Sequence, residues 1–258
     1  MRPARAARLL ACLLVLWLLP TCGAGAAQAV RLDVALRPER LGAGTTMDFS
    51  FHIATPRGRV PPPLTAIEFR YPSNFGLLTS GLGLATCAPA TLEELGPEGC
   101  PADSQMGFGS ALVEIPVGPE VVRETGRLTA WMAPAPEGRI ALAFYAEGGT
   151  PILTQLIFPG LVLDASPPFG GRLHTRIPVI PSLPDAPDAA VVSLRATIGP
   201  LNVTYYRHSR GRTLAYRPNG ILLPRRCPAH GFPFAAAFVF LDGSSSAAHT
   251  SVPCPPRR

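Results

Sequence analysis

From Val30 onward, apolar side chains recur at every second position. Val30, Leu32, Val34 and Leu36 fall on one side of the chain, and Arg31, Asp33 and Arg37 on the other. A period of two over eight residues is the signature of a strand with one buried face. Met47, Phe49, Phe51 and Ile53 repeat it, with Asp48, Ser50 and His52 facing away, and Leu41-Gly42-Ala43-Gly44 joins the two runs as a hairpin turn. After the interruption at Pro61-Pro62-Pro63, a third strand carries Ile67, Phe69 and Tyr71 opposite Glu68 and Arg70. Further strand-like runs lie near 108–116, 121–133, 138–146, 151–158, 160–165, 171–179, 190–198, 201–207, 212–217, 233–241 and 248–253. Most are bounded by proline or glycine, and the gap between two of them falls at Pro159. Phe234, Phe238 and Phe240 make the most aromatic of these strands.

Past residue 29 no long segment carries a 3.6-residue period. The one helical turn expected is Thr91 to Leu95, with Thr91 as N-cap and Glu93 and Glu94 in its first turn. Many short strands at even spacing predict an all-β chain, an antiparallel β-sandwich with one short helical turn near 91–95. The proline-rich stretch 178–188 is either a loop between sheets or a boundary between two β units. A single sandwich over 30–258 is preferred, because the tail alone would have a small core.

The first 29 residues read as a secretory signal. Arg2, Arg5 and Arg8 precede an apolar run from Leu9 to Leu19, and Ala27-Gln28-Ala29 offers a small-x-small cleavage site before Val30. The apolar run falls well short of the roughly 20 residues that span a bilayer. Lipidation at Cys22 is the other reading, but Pro20 and Thr21 suit a lipobox poorly. No later segment is long and apolar enough for a membrane helix.

Removal of this leader changes both the charge and the cysteine count. All 23 basic residues are arginine, against 17 acids; loss of Arg2, Arg5 and Arg8 leaves 20 against 17, a net charge of +3. That is too mild to imply nucleic acid. The abundance of Ala, Pro, Gly and Arg points to a GC-rich genome. Four cysteines remain, Cys87, Cys100, Cys227 and Cys254. An even number in an exported chain argues for disulfides. The short-range pairing Cys87–Cys100 and Cys227–Cys254 is favoured, each loop stabilising the fold by roughly 3 kcal/mol. A zinc site would want a C-x-x-C pair, which the sequence lacks. No cofactor is expected.

No catalytic residue is assigned. The G-x-S-x-G, S-x-x-K and H-E-x-x-H signatures are missing, and His52, His174, His208, His230 and His249 are scattered singly. Asp242-Gly243-Ser244-Ser245-Ser246 with His249 could suggest a nucleophile, but it reads better as a polar hairpin tip. The pairs Glu93 and Glu94, Glu114 and Glu120, and Asp185 and Asp188 offer weak carboxylate signals. The one concentrated feature is Tyr205, Tyr206, Arg207, Arg210 and Arg212, continued by Tyr216 and Arg217. Arginines interleaved with tyrosines can grip an anionic polymer or stack on sugars. The plain alternative is a β-hairpin turning at Ser209-Arg210-Gly211 with a solvated basic face. Arg225 and Arg226 stand as neighbours in that reading, and Asn202-Val203-Thr204 matches a glycosylation acceptor.

The segment Cys87…Cys100-Pro101-Ala102-Asp103-Ser104-Gln105-Met106-Gly107 resembles a cassette of uncharacterised secreted β-rich proteins from high-GC bacteria, C-P-x-x-S-x-(V/M)-G leading into a strand. Cys227-Pro228 through Cys254-Pro255 resembles the usual ending of that family. The resemblance implies secretion and a β fold, and it carries no activity. The expected function is therefore an exported, non-catalytic β-sandwich of the cell envelope or extracellular space, structural or binding, with a wall polymer or extracellular protein as partner. The alternatives are a secreted hydrolase with a dispersed active site and a basic module for anionic wall polymers.

Overall fold

The computed structural model describes residues 28–255 apart from 56–58, 78–84, 136–138, 150–152, 183–186, 200–204, 210 and 217–219. The fold is all-β. The strands are β1 (Ala29–Arg37), β2 (Gly44–Ala54), β3 (Leu64–Pro72), β4 (Gly76–Leu77), β5 (Gln105–Val117), β6 (Glu120–Ala133), β7 (Ile140–Gly148) and β8 (Thr154–Asp164). They continue as β9 (Phe169–Arg176), β10 (Ala190–Ile198), β11 (Tyr205–Ser209), β12 (Arg212–Tyr216), β13 (Ile221–Leu222), β14 (Phe232–Phe240) and β15 (Ser245–Val252). Among the described residues there is one helix, α1 (Pro89–Leu95), followed by short 3-10 turns.

All strands but β11 and β12 hydrogen-bond into one antiparallel sheet in the order β15-β14-β3-β9-β8-β7-β6-β5-β10-β2, with β1 on β2. The sheet curls until β1 lies against β15, where the Ser246 hydroxyl donates to the Gln28 carbonyl. Its two halves press together face to face. Phe51 of β2 meets Phe238 of β14 edge-on at 5.0 Å between ring centroids, and Phe49 stacks on Phe69 at 5.2 Å. The sandwich is thus one sheet folded upon itself. On β14, Phe232, Phe234, Phe238 and Phe240 alternate inward and are essentially fully buried. β10 lies between β2 and β5, and β14 between β15 and β3, so strands from before and after 178–188 interleave.

A second, outward core covers β6 and β7. Trp131, Ala133, Ala141, Ala143 and Tyr145 pack there under Leu92 of α1 and Cys87. The helix starts two residues before the expected turn. Pro89 takes the first helical position, Ala88 is the cap without a side-chain bond, and Glu93 and Glu94 stand beyond the first turn. Proline suits that position because the missing N–H has no helical partner anyway.

Proline also misled the reading of 151–165. The chain does not break at Pro159; it continues as the single strand β8, Pro159 lying opposite Ala143 of β7. The Thr175 hydroxyl donates to the Pro159 carbonyl at 2.8 Å, so the ring nitrogen also faces β9. The ladder with β9 begins only at Gly160, and no ladder donor is needed there.

Candidate functional site

The curled sheet encloses an apolar cavity of about 90 Å3. Its walls are Phe51 of β2, Leu64 of β3, Ala111, Val113 and Ile115 of β5, Leu128 of β6, Ala146 of β7, and Leu156 and Phe158 of β8. Ile177, Ile180, Val191 and Leu194 close the far side. The space follows from side-chain size. In register, Ala111 faces Gly126 across β5 and β6, and Ala146 faces Leu128 and Leu156. Small residues at successive inward positions leave room that larger ones fill elsewhere, as Phe144 and Phe158 do where they stack at 5.3 Å.

At one end of the cavity the sheet is stepped. The β6–β7 ladder ends at Arg127 and Glu147 and the β7–β8 ladder at Gly148 and Thr154, while β5–β6 runs on to Val117 and Glu120. Beyond Arg127, β6 has β5 on one side and no paired strand on the other among the described residues. Glu124 and Thr154 line this end of the cavity. Arg127 and Glu147 turn outward into an ion pair, and the Tyr145 hydroxyl donates to Glu147 at 3.3 Å. Burial, and then the neighbouring Glu147 charge, push the Tyr145 phenol up.

Polar clusters on the outer face hold their carboxylates in ion pairs. Glu68 of β3 accepts from Arg70 Nε at 2.8 Å and from Arg172 Nη1 at 2.9 Å. Burial alone would raise the Glu68 pKa, but the two guanidiniums outweigh it and hold the carboxyl below its ordinary value. Glu114 pairs with Arg123 at 2.9 Å. Asp48 accepts from the Thr197 hydroxyl at 2.6 Å and pairs with Arg37 at 3.4 Å. These arrangements tie neighbouring strands together. A carboxylate already engaged with arginine is a poor general base.

Compared with known proteins, the chain stands apart: no family model, no curated protein and no solved structure matches it.

Both favoured disulfides form, Cys87–Cys100 and Cys227–Cys254, with Cα separations of 5.3 and 5.8 Å. In the cassette, the Ser104 hydroxyl donates to the Pro101 carbonyl at 2.6 Å. A Cβ on Gly107 would lie 2.4 Å from the Thr197 carbonyl oxygen, so only glycine lets β10 approach. The Asp242–Ser246 segment is the tip of the β14–β15 hairpin. Asp242 accepts from the Ser244 hydroxyl at 2.6 Å and its backbone N–H at 2.9 Å, which lowers the Asp242 pKa. Glu114 and Glu120 occupy opposite faces of the β5–β6 ribbon and form no carboxylate pair. Glu93 and Glu94 are exposed on α1, and Asp185 lies outside the described residues.

The arginine–tyrosine segment forms the expected hairpin: Tyr205 pairs with Tyr216, Tyr206 with Ala215, Arg207 with Leu214 and Ser209 with Arg212. Arg210, Arg217 and Asn202-Val203-Thr204 lie outside the described residues. Arg225 and Arg226 border a surface hollow with Gly42 and Asn74. Among the described residues, no three His, Cys, Asp or Glu side chains gather as a metal-binding group, and no helix is long and apolar enough to cross a membrane.

The cavity is what the sequence reading missed. Its signal was the run of small residues at inward positions, Ala111, Gly126, Ala146 and Gly148, but only the register shows that they meet.

Proposed function

We propose that this chain is an exported, non-catalytic β protein of the cell envelope or extracellular space that works by binding, with the cavity inside its curled sheet as the binding element. The observation that carries the reading is that cavity: apolar walls, and a polar edge where one ladder stops short. Ligand sites are typically apolar hollows with a few polar groups to orient the guest. The local disulfides and the leader-like N-terminus support export. Xenon is a suitable first probe, since it enters dry apolar cavities. Under xenon pressure, methyl resonances of Leu128 and Leu156 should shift in the purified chain from Val30 onward. Unmoved methyls, or hydrolysis of a glycan, ester or peptide by that chain, would defeat the reading.

A second reading keeps the Tyr205–Arg217 segment as a grip for anionic polymer, supported by the concentration of arginines and tyrosines along this two-stranded ribbon. Charge reversal at Arg207, Arg210 and Arg212 should then abolish salt-sensitive retention on a polyphosphate-type column.

A further inference from the structure

On the outer face of the sheet, β1, β2, β10 and β5 form an open hollow of about 440 Å3, within the range of small-molecule sites. The register sets outward residues of three strands in two rows: Ser50, Arg195 and Ser110 in one, Asp48, Thr197 and Phe108 in the next. Their chain neighbours Phe51, Leu194 and Ala111 point the other way and line the cavity, so the hollow and the cavity share no lining residue.

The hollow carries one unbalanced charge. Asp48 is engaged by Arg37 and by the Thr197 hydroxyl, and Asp33, at the β1 margin, by Arg31 at 2.9 Å. Arg127, opposite Ser110 on β6, is engaged by Glu147. Arg195 is exposed and has no carboxylate partner among the described residues, where the Ser50 and Ser110 hydroxyls on either side of it are also unengaged. Phe108, diagonal to Arg195, is 45 % exposed.

We infer that this hollow takes one residue of an acidic polysaccharide, a pyranose ring bearing a single carboxylate. A guanidinium fork pairs with a carboxylate through two parallel hydrogen bonds. Adjacent strands lie about 4.8 Å apart, so Ser50 and Ser110 bracket the fork with hydroxyls that can donate to or accept from those of the ring. The Phe108 phenyl, within diagonal reach, offers an apolar surface to the C–H side of the sugar. Asp33 and Asp48 limit the charge of the guest. They accept from sugar hydroxyls but repel a second negative charge, which disfavours a phosphate dianion. A long alkyl carboxylate would cover these polar groups without satisfying them.

The test is an NMR titration of the folded, disulfide-intact chain with methyl galacturonide, methyl galactoside, galactose 6-phosphate and trigalacturonate. Galacturonide should shift the amides of Ser50, Ser110 and Arg195, leave the Leu128 and Leu156 methyls in place, and bind about ten-fold tighter than the uncharged galactoside. Galactose 6-phosphate should bind more weakly than galacturonide, and trigalacturonate at least as tightly. Arg195→Gln should lower galacturonide affinity about ten-fold and Phe108→Ala about five-fold, with melting curves confirming that each variant is folded. Replacement of another exposed arginine, Arg176→Gln on β9, should leave the affinity unchanged. Equal binding of galactoside and galacturonide would overturn the role of the charge, and equal binding of galactose 6-phosphate the choice of a carboxylate. Exclusion of the trimer would overturn the polymeric source. If Arg195→Gln binds galacturonide like the parent chain, or none of the sugars binds, the inference fails, while the cavity reading stands or falls separately on xenon.

Discussion

At Gly109 the backbone of β10 comes so close that a Cβ would lie 2.2 Å from the Arg195 carbonyl oxygen. That neighbour is backbone held in two ladders, so it cannot step aside. Gly109→Ala should therefore destabilise the fold by about 2 kcal/mol or more, seen as a lower urea midpoint with an unchanged slope. Glu68 makes a pH-dependent contribution. Its folded pKa is depressed, so the stabilisation is complete above its ordinary value of 4.5 and disappears as pH falls through the lowered folded value. Glu68→Gln should cost about 2 kcal/mol near neutral pH. That gap to the wild-type chain should narrow in acid; a gap that is constant with pH would show that the ion pairs are not its source. Little of this was legible in the sequence. Gly109 and Glu68 are ordinary strand residues until pairing sets Arg195 and Arg172 beside them. Ser104 and the cysteines were readable, because their partners are local.

Elements with strict alternation, β1, β2 and β14, were legible down to the buried face, since burial of one sheet face demands a period of two. Their neighbours were not. Alternation says which side of a strand is apolar but not that β14 pairs with β3, Ala236 opposite Phe69. Proline was over-read as a terminator at Pro159, where its missing donor faces the end of a ladder. The helix and its disulfide show what such a small element is for, because they roof the outward core over β6 and β7. Trp131 lies in that core and is the only tryptophan after residue 29. Replacing Cys87 and Cys100 by serine should cost about 3 kcal/mol and shift Trp131 emission to the red. Removal of Cys227–Cys254 should leave the emission of the folded chain unchanged. Equal shifts in both variants would mean that the roof is not held by its own bridge.

On the scale of the whole molecule, strands from either side of 178–188 alternate in the sheet, so neither part can retain its ladders without the other. Thermal unfolding should accordingly be one transition, with Trp131 fluorescence and far-ultraviolet dichroism coinciding; two separable transitions would divide the chain into two β units. The two bridges operate on a different range from the sheet. They join cysteines 13 and 27 residues apart, whereas ladder partners such as Phe69 and Ala236 come from distant parts of the chain. Oxidation therefore need not wait for the strands to find their places, and each thiol meets its proper mate chiefly because that mate is the nearest along the chain. A reducing environment would slacken two margins of the molecule while leaving its circular arrangement of strands unaltered.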